Sequence, residues 1–488
     1  MQGNITTIAA IDFGSHRIKG ALAQKDEEGK FEIQYYADEL SEGCIPRGVI
    51  YNMEIAAQKT QKIIHKLEEL SGEKIARIYV NVGGQSLRTL RHMESLHFDT
   101  PHEITKEDIN QLFKQVEDFS HEKYEVLYVD SPEYFVNSNY TSSPVGVQAM
   151  KMEARFPLIV AKPQMYSNVM SVVEGKLKLG VEGPLISPIV LGNAFLTNDQ
   201  KNLGCVLIDL GAGTSTVSVF KKGLLQGVRV VPLGGNNITK DLTAMHITES
   251  EAERIKCFGG SAISEPGDKQ QIEVNAADNL STKSLSRYEV CRYIEARAQE
   301  IADNIRNVLV NMIRMEDIGG GVLVTGGGSE LVGMIEKLSK TLGVEIELAA
   351  NMISSSGRNR EYIKNPRLHL LYAMLDHGTV ECLVKEQASE TVNVDEVKEV
   401  EESVQEEGYA TNDYPENDLL NENPPVPKPL FTKDEIPEDK TKKAKEATKH
   451  KGKQDAEVRP PKRKTLVKSI SEWFTGFFPD DPSGEDEI

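Results

Sequence analysis

Two carboxylates, Asp12 and Asp209, each end an apolar run and are each followed by a glycine two residues on. Ile11-Asp12-Phe13-Gly14 closes the run from Ile8, and Ile208-Asp209-Leu210-Gly211 closes the run from Cys205. A carboxylate so placed can hold a hydrated Mg²⁺, an ion that keeps several waters and bridges phosphate oxygens. The glycine turn lets backbone N–H groups converge on a phosphate, because no Cβ blocks the approach. The first turn is Gly14, Ser15, His16 and Arg17, with either Arg17 or Lys19 as its cation and His16 contributing only backbone; the second is Gly211, Ala212, Gly213 and Thr214. A third element runs from an apolar strand at Gly321 through Gly326, Gly327 and Gly328 into a helix expected to start near Ser329. Its glycines leave room for a flat base, and a helix N-terminus faces the ligand. Gly234, Gly235 and Asn236 precede a further expected helix and could offer its N-terminus to a γ-phosphate; an ordinary helix start fits them equally. Each piece has a plainer reading, since an Asp also caps turns and a basic turn also sits well in solvent. The matched copies followed by the triple glycine, in this order, point to a nucleotide. No Walker-type G-x-x-x-x-G-K-[ST] occurs, which disfavours a P-loop.

These turns need strands to hold them. Apolar stretches Ile18–Ala23 and Val217–Phe220 follow the two turns, so each copy reads as strand, tight turn, strand. Residues 5 to about 383 alternate apolar strands with amphipathic helices, the pattern of an α/β protein. Glu54–Leu70 reads as a helix with Ile55, Ile63, Ile64 and Leu67 on one face, and Ile75–Val82 as a buried strand. After Gly83-Gly84 the pattern changes. Thr105-Lys-Glu-Asp108 is a capping box opening a helix with Ile109, Leu112, Phe113, Val116 and Phe119 at helical spacing. Strand-like runs at Glu125–Val129, Tyr134–Asn137 and Ala154–Val160 surround it, so a small α/β module is expected as an insertion here.

The chain has 488 residues, enough for two to four compact units. A net charge of −19 argues against broad nucleic-acid binding, which needs clustered Lys and Arg. Its five cysteines form no C-x-x-C pair, and a reducing cytoplasmic setting without disulfides or zinc is expected. The N-terminus enters the first expected strand without a basic region or a long apolar stretch, so no secretory leader is expected, and no run reaches the roughly 20 apolar residues of a spanning helix.

From Lys385 to about Pro461 Glu-rich, Pro-rich and Lys-rich runs succeed one another, a composition that buries too little apolar surface to offset chain entropy and reads as a disordered linker. Beyond it, Leu466, Val467, Ile470, Trp473, Phe474, Phe477 and Phe478 form one helical stripe with Lys462, Arg463, Lys464 and Lys468 beside it, ahead of an acidic tail from Asp480. A helix docked back on the core or on a partner is the plainer reading. The long linker and the aromatic-plus-basic composition suit a bilayer interface better. Each large apolar side chain is worth about 1.5–3 kcal/mol when fully buried and each basic residue near an anionic leaflet about 1 kcal/mol. One such anchor binds reversibly, whereas a row of them on a polymer gains factors of about 10²–10⁴ by avidity. The linker reaches about 50 Å on random-coil scaling.

The two Asp-Gly turns and the Thr325-Gly-Gly-Gly328 turn together resemble the phosphate-1, phosphate-2 and adenosine motifs of the actin superfamily. Within it, the inserted module, the Pro132-Glu-Tyr-Phe135 and Ser143-Pro-Val-Gly146 stretches and Glu251-Ala-Glu-Arg-Ile-Lys256 resemble the FtsA family. The resemblance covers residues 5 to about 383 and resumes at the C-terminus. It implies an actin-like (ribonuclease H-like) two-domain α/β fold with a nucleotide cleft and an inserted 1C-type subdomain, followed by a disordered linker and an amphipathic helix. The expected parts are subdomain 1A over 1–84, 1C over 85–162, 1A again over 163–200, 2A over 201–235, 2B over 236–310, 2A again over 311–350 and 1A over 351–383. The linker then spans 384–461, the membrane-targeting helix 462–478 and the tail 479–488. The resemblance further implies ATP and Mg²⁺ as ligands, Glu253 and Lys256 near ribose and base, Asp12 and Asp209 as the Mg²⁺–water pair, and weak ATPase activity at most, with no catalytic residue assigned. Thr216 stands where many relatives have an Asp, which weighs against efficient hydrolysis. Implied partners are FtsZ, further copies of the chain, later division proteins and the inner leaflet of the cytoplasmic membrane at the division site, with no nucleic acid. A PilM-like scaffold of a pilus or secretion machine is the alternative, and an actin-fold phosphotransferase, with Asn193 or Asp199 as its base, a more distant one; the plainer reading of Asp199 is a polar loop.

Overall fold

A computed structural model describes residues 5–117, 119–275, 281–349 and 359–384. The expected linker beyond Val384, the helix 462–478 with Leu466 to Phe478, and the acidic tail lie outside the described residues. The described residues fall in one compact unit.

Alternation and apolar runs set the first lobe. The run of strand β1 (Thr6–Phe13) is almost wholly buried, and it turns back antiparallel into β2 (Arg17–Lys25) and then β3 (Phe31–Leu40). Helix α1 (Met53–Ser71) follows. The Asn52 side chain caps it, accepting from the N–H groups of Glu54 and Ile55 at 3.1 Å each, and Gly72 ends it at φ 76°. Its buried face carries Ile63, Ile64 and Leu67, and it delivers the chain to β4 (Arg77–Val82), parallel to β1.

The chain then leaves the sheet for β5 (Arg88–Glu103), α2 (Lys106–Glu117), β6 (Glu125–Val129), β7 (Glu133–Val136), β8 (Asn139–Thr141) and β9 (Gln148–Ala161). These make a separate five-stranded sheet. Thr105 and Asp108 cap α2 reciprocally, with the Asp108 N–H donating to Thr105 Oγ1 at 3.3 Å and the Thr105 N–H to Asp108 at 2.8 Å. The insert has its own core around Leu112, Phe113, Met152 and Phe156.

Helix α3 (Pro163–Met170) and strand β10 (Gly180–Ile186) return to the first sheet, whose order is β10-β4-β1-β2-β3. Helices α4 (Ser187–Phe195) and α5 (Asn198–Leu203) lead into the second lobe. There β11 (Cys205–Leu210), β12 (Ser215–Lys221) and β13 (Leu224–Val231) repeat the meander of β1 to β3. Next come α6 (Gly235–Leu242), α7 (Glu249–Phe258), the hairpin β14 (Gln271–Asn275) and β15 (Thr282–Ser286), and α8 (Arg287–Val310). β16 (Val322–Thr325), α9 (Met334–Leu342) and β17 (Ile346–Leu348) complete a sheet of order β13-β12-β11-β16-β17. In it β16 lies parallel to β11 as β4 lies parallel to β1. Finally α10 (Asn359–Lys364) and α11 (His369–His377) rejoin the first lobe, where Leu371 and Leu375 belong to the same core as Ile8 and Ile11. The duplicated motif is thus a duplicated sheet.

Two local expectations change. After the triple glycine the chain makes a short 3₁₀ turn over Gly327–Glu330, and the α-helix begins only at Met334. Asp199, expected in a polar loop, sits in the first turn of α5, capped by Thr197.

Candidate functional site

Between the two lobes lies a cavity of about 980 Å³. The ends of β1 and β11 bring Asp12 and Asp209 to it, and the register of each hairpin sets what faces them. Asp12 pairs with Lys19 across β1 and β2, and Asp209 with Thr216 across β11 and β12. Thr216 therefore holds in the second lobe the place of Lys19 in the first. Lys19 Nζ donates to Asp12 Oδ2 at 2.6 Å and to the Arg367 carbonyl at 2.8 Å. Arg17 turns instead to an ion pair with Asp38. Of the two candidate cations, Lys19 is the one joined to the carboxylate.

The two turns meet. Gly14, Ser15, His16 and Arg17 line one side, and Gly211, Ala212, Gly213 and Thr214 the other. A Cβ on Gly213 would lie 2.7 Å from Ser15 Oγ. Ser15 Oγ is fixed by the Gly48 N–H at 2.8 Å, and Ser41 Oγ holds the Gly14 carbonyl at 2.6 Å. Among the described residues the N–H groups of Ser15, His16, Gly213 and Thr214 enter no hydrogen bond with the protein, which is the condition for receiving an anion. Asp209 is pushed up to about 6 by burial first and by the Asp12 charge second, with Lys19 acting the other way. Two carboxylates share the field of one ammonium. A divalent cation fits that imbalance, and since no three His, Cys, Asp or Glu groups converge among the described residues, it would be held largely through water and phosphate.

Gly234, Gly235 and Asn236 also line the cavity. Their N–H groups are already bonded, however. Gly235 donates to the Gly211 carbonyl at 3.1 Å, Asn236 to the Ala212 carbonyl at 2.8 Å, and Gly234 to Asn237 Oδ1 at 3.0 Å. The start of α6 thus braces the second turn, and of its two sequence readings the ordinary helix start is the one the hydrogen bonds fit.

Helix α7 carries Glu253 and Lys256 one turn apart, and their side chains bond at 2.6 Å, with Thr239 Oγ1 joined to both. Burial would raise the Glu253 carboxyl, but the Lys256 charge and the hydrogen bonds from Lys256 and Thr239 outweigh it and hold it below its ordinary value. Gly326, Gly327 and Gly328 line the opposite wall. Gly326, at φ 81°, lies where a Cβ would meet Asp209 Oδ1 at 2.3 Å, so only glycine allows this approach. Ser329 does not line the cavity; it is buried, and its Oγ donates to the Gly326 carbonyl at 2.7 Å.

Several lining residues escape a reading from sequence. Asn81, on β4, accepts the Phe13 N–H at 2.8 Å and so sets the strand that carries Asp12. Arg367 reaches from the first lobe to an ion pair with Glu330 in the second. Gly48, Gly83 and Gly84 crowd together beneath the first turn, where a Cβ on Gly48 would meet the Gly83 carbonyl at 2.6 Å. Only the Gly83-Gly84 pair left a signal, as a break after a strand. The two candidate general bases are elsewhere: Asn193 Oδ1 accepts from Lys201 Nζ at 3.0 Å, Asp199 lies on α5, and neither lines the cavity.

The family model described as "Cell division protein FtsA" matches residues 206–373. The chain is 33% identical over 341 residues to the cell division protein FtsA of Porphyromonas gingivalis (strain ATCC BAA-308 / W83), covering 69% of this chain and 71% of that protein. It is 27% identical over 350 residues to the cell division protein FtsA of Bacillus subtilis (strain 168), covering 70% and 78%. Among solved structures, a PilM-PilN type IV pilus biogenesis complex is similar in fold, with TM-score 0.51 and 14% identity over 75% of this chain and 97% of that one. A shared fold at that identity leaves function open, whereas the relationship to P. gingivalis FtsA spans most of both chains. With its twin Asp-Gly hairpins facing one interlobe cavity, this actin-like chain belongs to the FtsA family of cell-division proteins.

Proposed function

We propose that the protein binds ATP with Mg²⁺ in the interlobe cavity, polymerises at the inner face of the cytoplasmic membrane and tethers FtsZ there, recruiting later division proteins. The observation that carries the nucleotide part is the meeting of the two glycine turns, with free N–H groups, over Asp12, Asp209 and Lys19. Gly14 to Arg17 and Gly211 to Thr214 would hold the phosphate chain, and Asp12 and Asp209 would hold the Mg²⁺ through water. When bound, that ion neutralises charge between the two carboxylates and the phosphates. Glu253 and Lys256 flank the ribose and base, and Gly326 to Gly328 leave room for the ring. ATP acts chiefly as a conformational ligand that biases the two lobes toward closure and so shifts the polymerisation equilibrium.

The membrane part rests on the composition of residues 462–478, where the spacing of Leu466, Val467, Ile470, Trp473, Phe474, Phe477 and Phe478 is that of one apolar helical stripe, with Lys468 between them in sequence. The protein is then peripheral, at the division site. The test is co-sedimentation of the purified full chain with anionic vesicles, with and without Mg·ATP, with FtsZ added to each. FtsZ pelleting only when both this protein and vesicles are present supports the tether. FtsZ staying in the supernatant while this protein pellets moves the reading toward a PilM-like scaffold. Trp473→Asp with Phe474→Asp should release the protein from vesicles; unchanged pelleting would end the anchor.

A further inference from the structure

His16 stands inside the first glycine turn. It is half-buried and lines the cavity, and among the described residues its ring makes no hydrogen bond or ion pair. The charged groups that act most on it come from both lobes. They are Arg17 from its own turn, Glu253 and Lys256 from α7 in the other lobe, and Arg367 from the segment before α11. All of them line the same cavity. Burial lowers the ring most, Glu253 raises it next, and Lys256, Arg17 and Arg367 then lower it, so that it stays below its ordinary 6.5. At neutral pH the ring in the ligand-free cavity is therefore mostly uncharged. A phosphate chain entering this space brings several negative charges to the same groups, and the balance reverses.

We propose that His16 contacts the phosphate chain as an imidazolium, taking one proton from solvent as nucleotide binds, so that this chain holds nucleotide more tightly as pH falls. The inference rests on the nucleotide reading above. Its sign follows from linkage. The group binds protons more readily in the complex than in the free protein, so affinity rises as pH drops through the interval between the two pKa values. Each unit of separation is worth up to about tenfold in affinity. The neutral ring also removes a cation from the turn at high pH, when release is favoured.

The experiment is isothermal titration of the full chain with Mg·ATP and with Mg·ADP between pH 6 and pH 8, in two buffers of different ionisation enthalpy. Wild type is compared with His16→Ser and His16→Gln. The difference between proteins cancels protons taken up by the nucleotide itself. Wild type should take up more protons per nucleotide than either variant, and the wild-type advantage in affinity should grow severalfold from pH 8 to pH 6. Equal proton counts and parallel pH profiles in proteins that all bind nucleotide would overturn the role of His16 and leave the cavity assignment standing. No binding of either nucleotide by wild type at any pH would overturn the cavity assignment itself, and the role of His16 with it.

Discussion

Asp12 Oδ2 and Lys19 Nζ lie 2.6 Å apart across the turn of the first hairpin, with Asp12 almost fully buried and Lys19 nearly so. The pair is a product of register, since any antiparallel hairpin with this turn places those positions opposite each other. Removing one member of a buried ion pair leaves the other as an uncompensated charge, at a cost of about 3–5 kcal/mol. Lys19→Met should therefore destabilise the protein by about 3 kcal/mol. Millimolar Mg²⁺ should restore more stability to the variant than to wild type, because the ion supplies the missing positive charge. Thermal unfolding with and without Mg²⁺ measures both, and a variant as stable as wild type in EDTA would show that Lys19 does not neutralise Asp12.

Gly326 sets the triple-glycine turn directly against Asp209. Its φ of 81° belongs to the left-handed region, and a Cβ there would press on Asp209 Oδ1 and on the Leu210 carbonyl. Gly326→Ala should cost about 1–3 kcal/mol in backbone strain and should displace Asp209. The variant is expected to lose Mg·ATP affinity, as Asp209→Ala should too, although it leaves every polar group in place. Equilibrium dialysis of labelled ATP against the two variants compares them. Full affinity in either folded variant would remove that residue from the site.

The parts of this architecture visible in the sequence are those written locally. The repeated Asp-Gly hairpins, the apolar face of the helix over Glu54–Leu70 and the Thr105 box each need only nearby residues. What the sequence hides is long-range. Asn81 and Arg367 reach the cavity from strands and turns far along the chain, with nothing in their own neighbourhoods to mark them. The helix expected near Ser329 starts later because a 3₁₀ turn intervenes, within which the Ser329 hydroxyl closes on the Gly326 carbonyl. The long strand β5 leaves little mark in the sequence because Arg88–Glu103 alternates poorly, with much of it exposed on an edge of the insert sheet.

Asp130 lies where the insert meets the second lobe, accepting from the Ser131 N–H at 2.8 Å and the Leu225 N–H at 3.3 Å. Burial raises it to about 6, against the pull of those two N–H groups and of Lys201. A raised folded pKa means that the stability tied to this group is fully present below the unfolded value near 3.8 and is lost as pH rises through about 6. Asp130→Asn is neutral like the protonated form, and its one acceptor oxygen keeps the Ser131 N–H while the longer bond from Leu225 is given up. Its stability relative to wild type should be about 2–3 kcal/mol more favourable at pH 7.5 than near pH 4. Chemical denaturation at the two pH values tests this, and an equal effect at both would mean that the carboxyl is not strained by burial.

His369 works in the opposite sense. Its ring is fully buried against Phe195, with centroids 4.3 Å apart, and both nitrogens are engaged. Nε2 lies 2.6 Å from the Ile363 carbonyl, which can only accept, so Nε2 carries the proton and Nδ1 accepts from Thr325 Oγ1 at 2.7 Å. Thr325 ends β16 directly before Gly326, so this bond fixes the first-lobe helix α11 to the glycine turn of the second lobe. Burial lowers the ring to about 4, the Ile363 carbonyl resisting. With the folded pKa below the unfolded value of 6.5, its contribution is complete above pH 6.5 and is lost as pH falls through about 4, a swing of about 3 kcal/mol. His369→Phe leaves the Thr325 hydroxyl and the Ile363 carbonyl without partners, at about 1–3 kcal/mol each. The variant should be much less stable than wild type at pH 7.5, and the gap should narrow by up to about 3 kcal/mol at pH 4, as unfolding curves at the two pH values would record. A gap that stays constant would mean that the buried ring is not held neutral, and the hydrogen-bond assignment across the two lobes would fall with it.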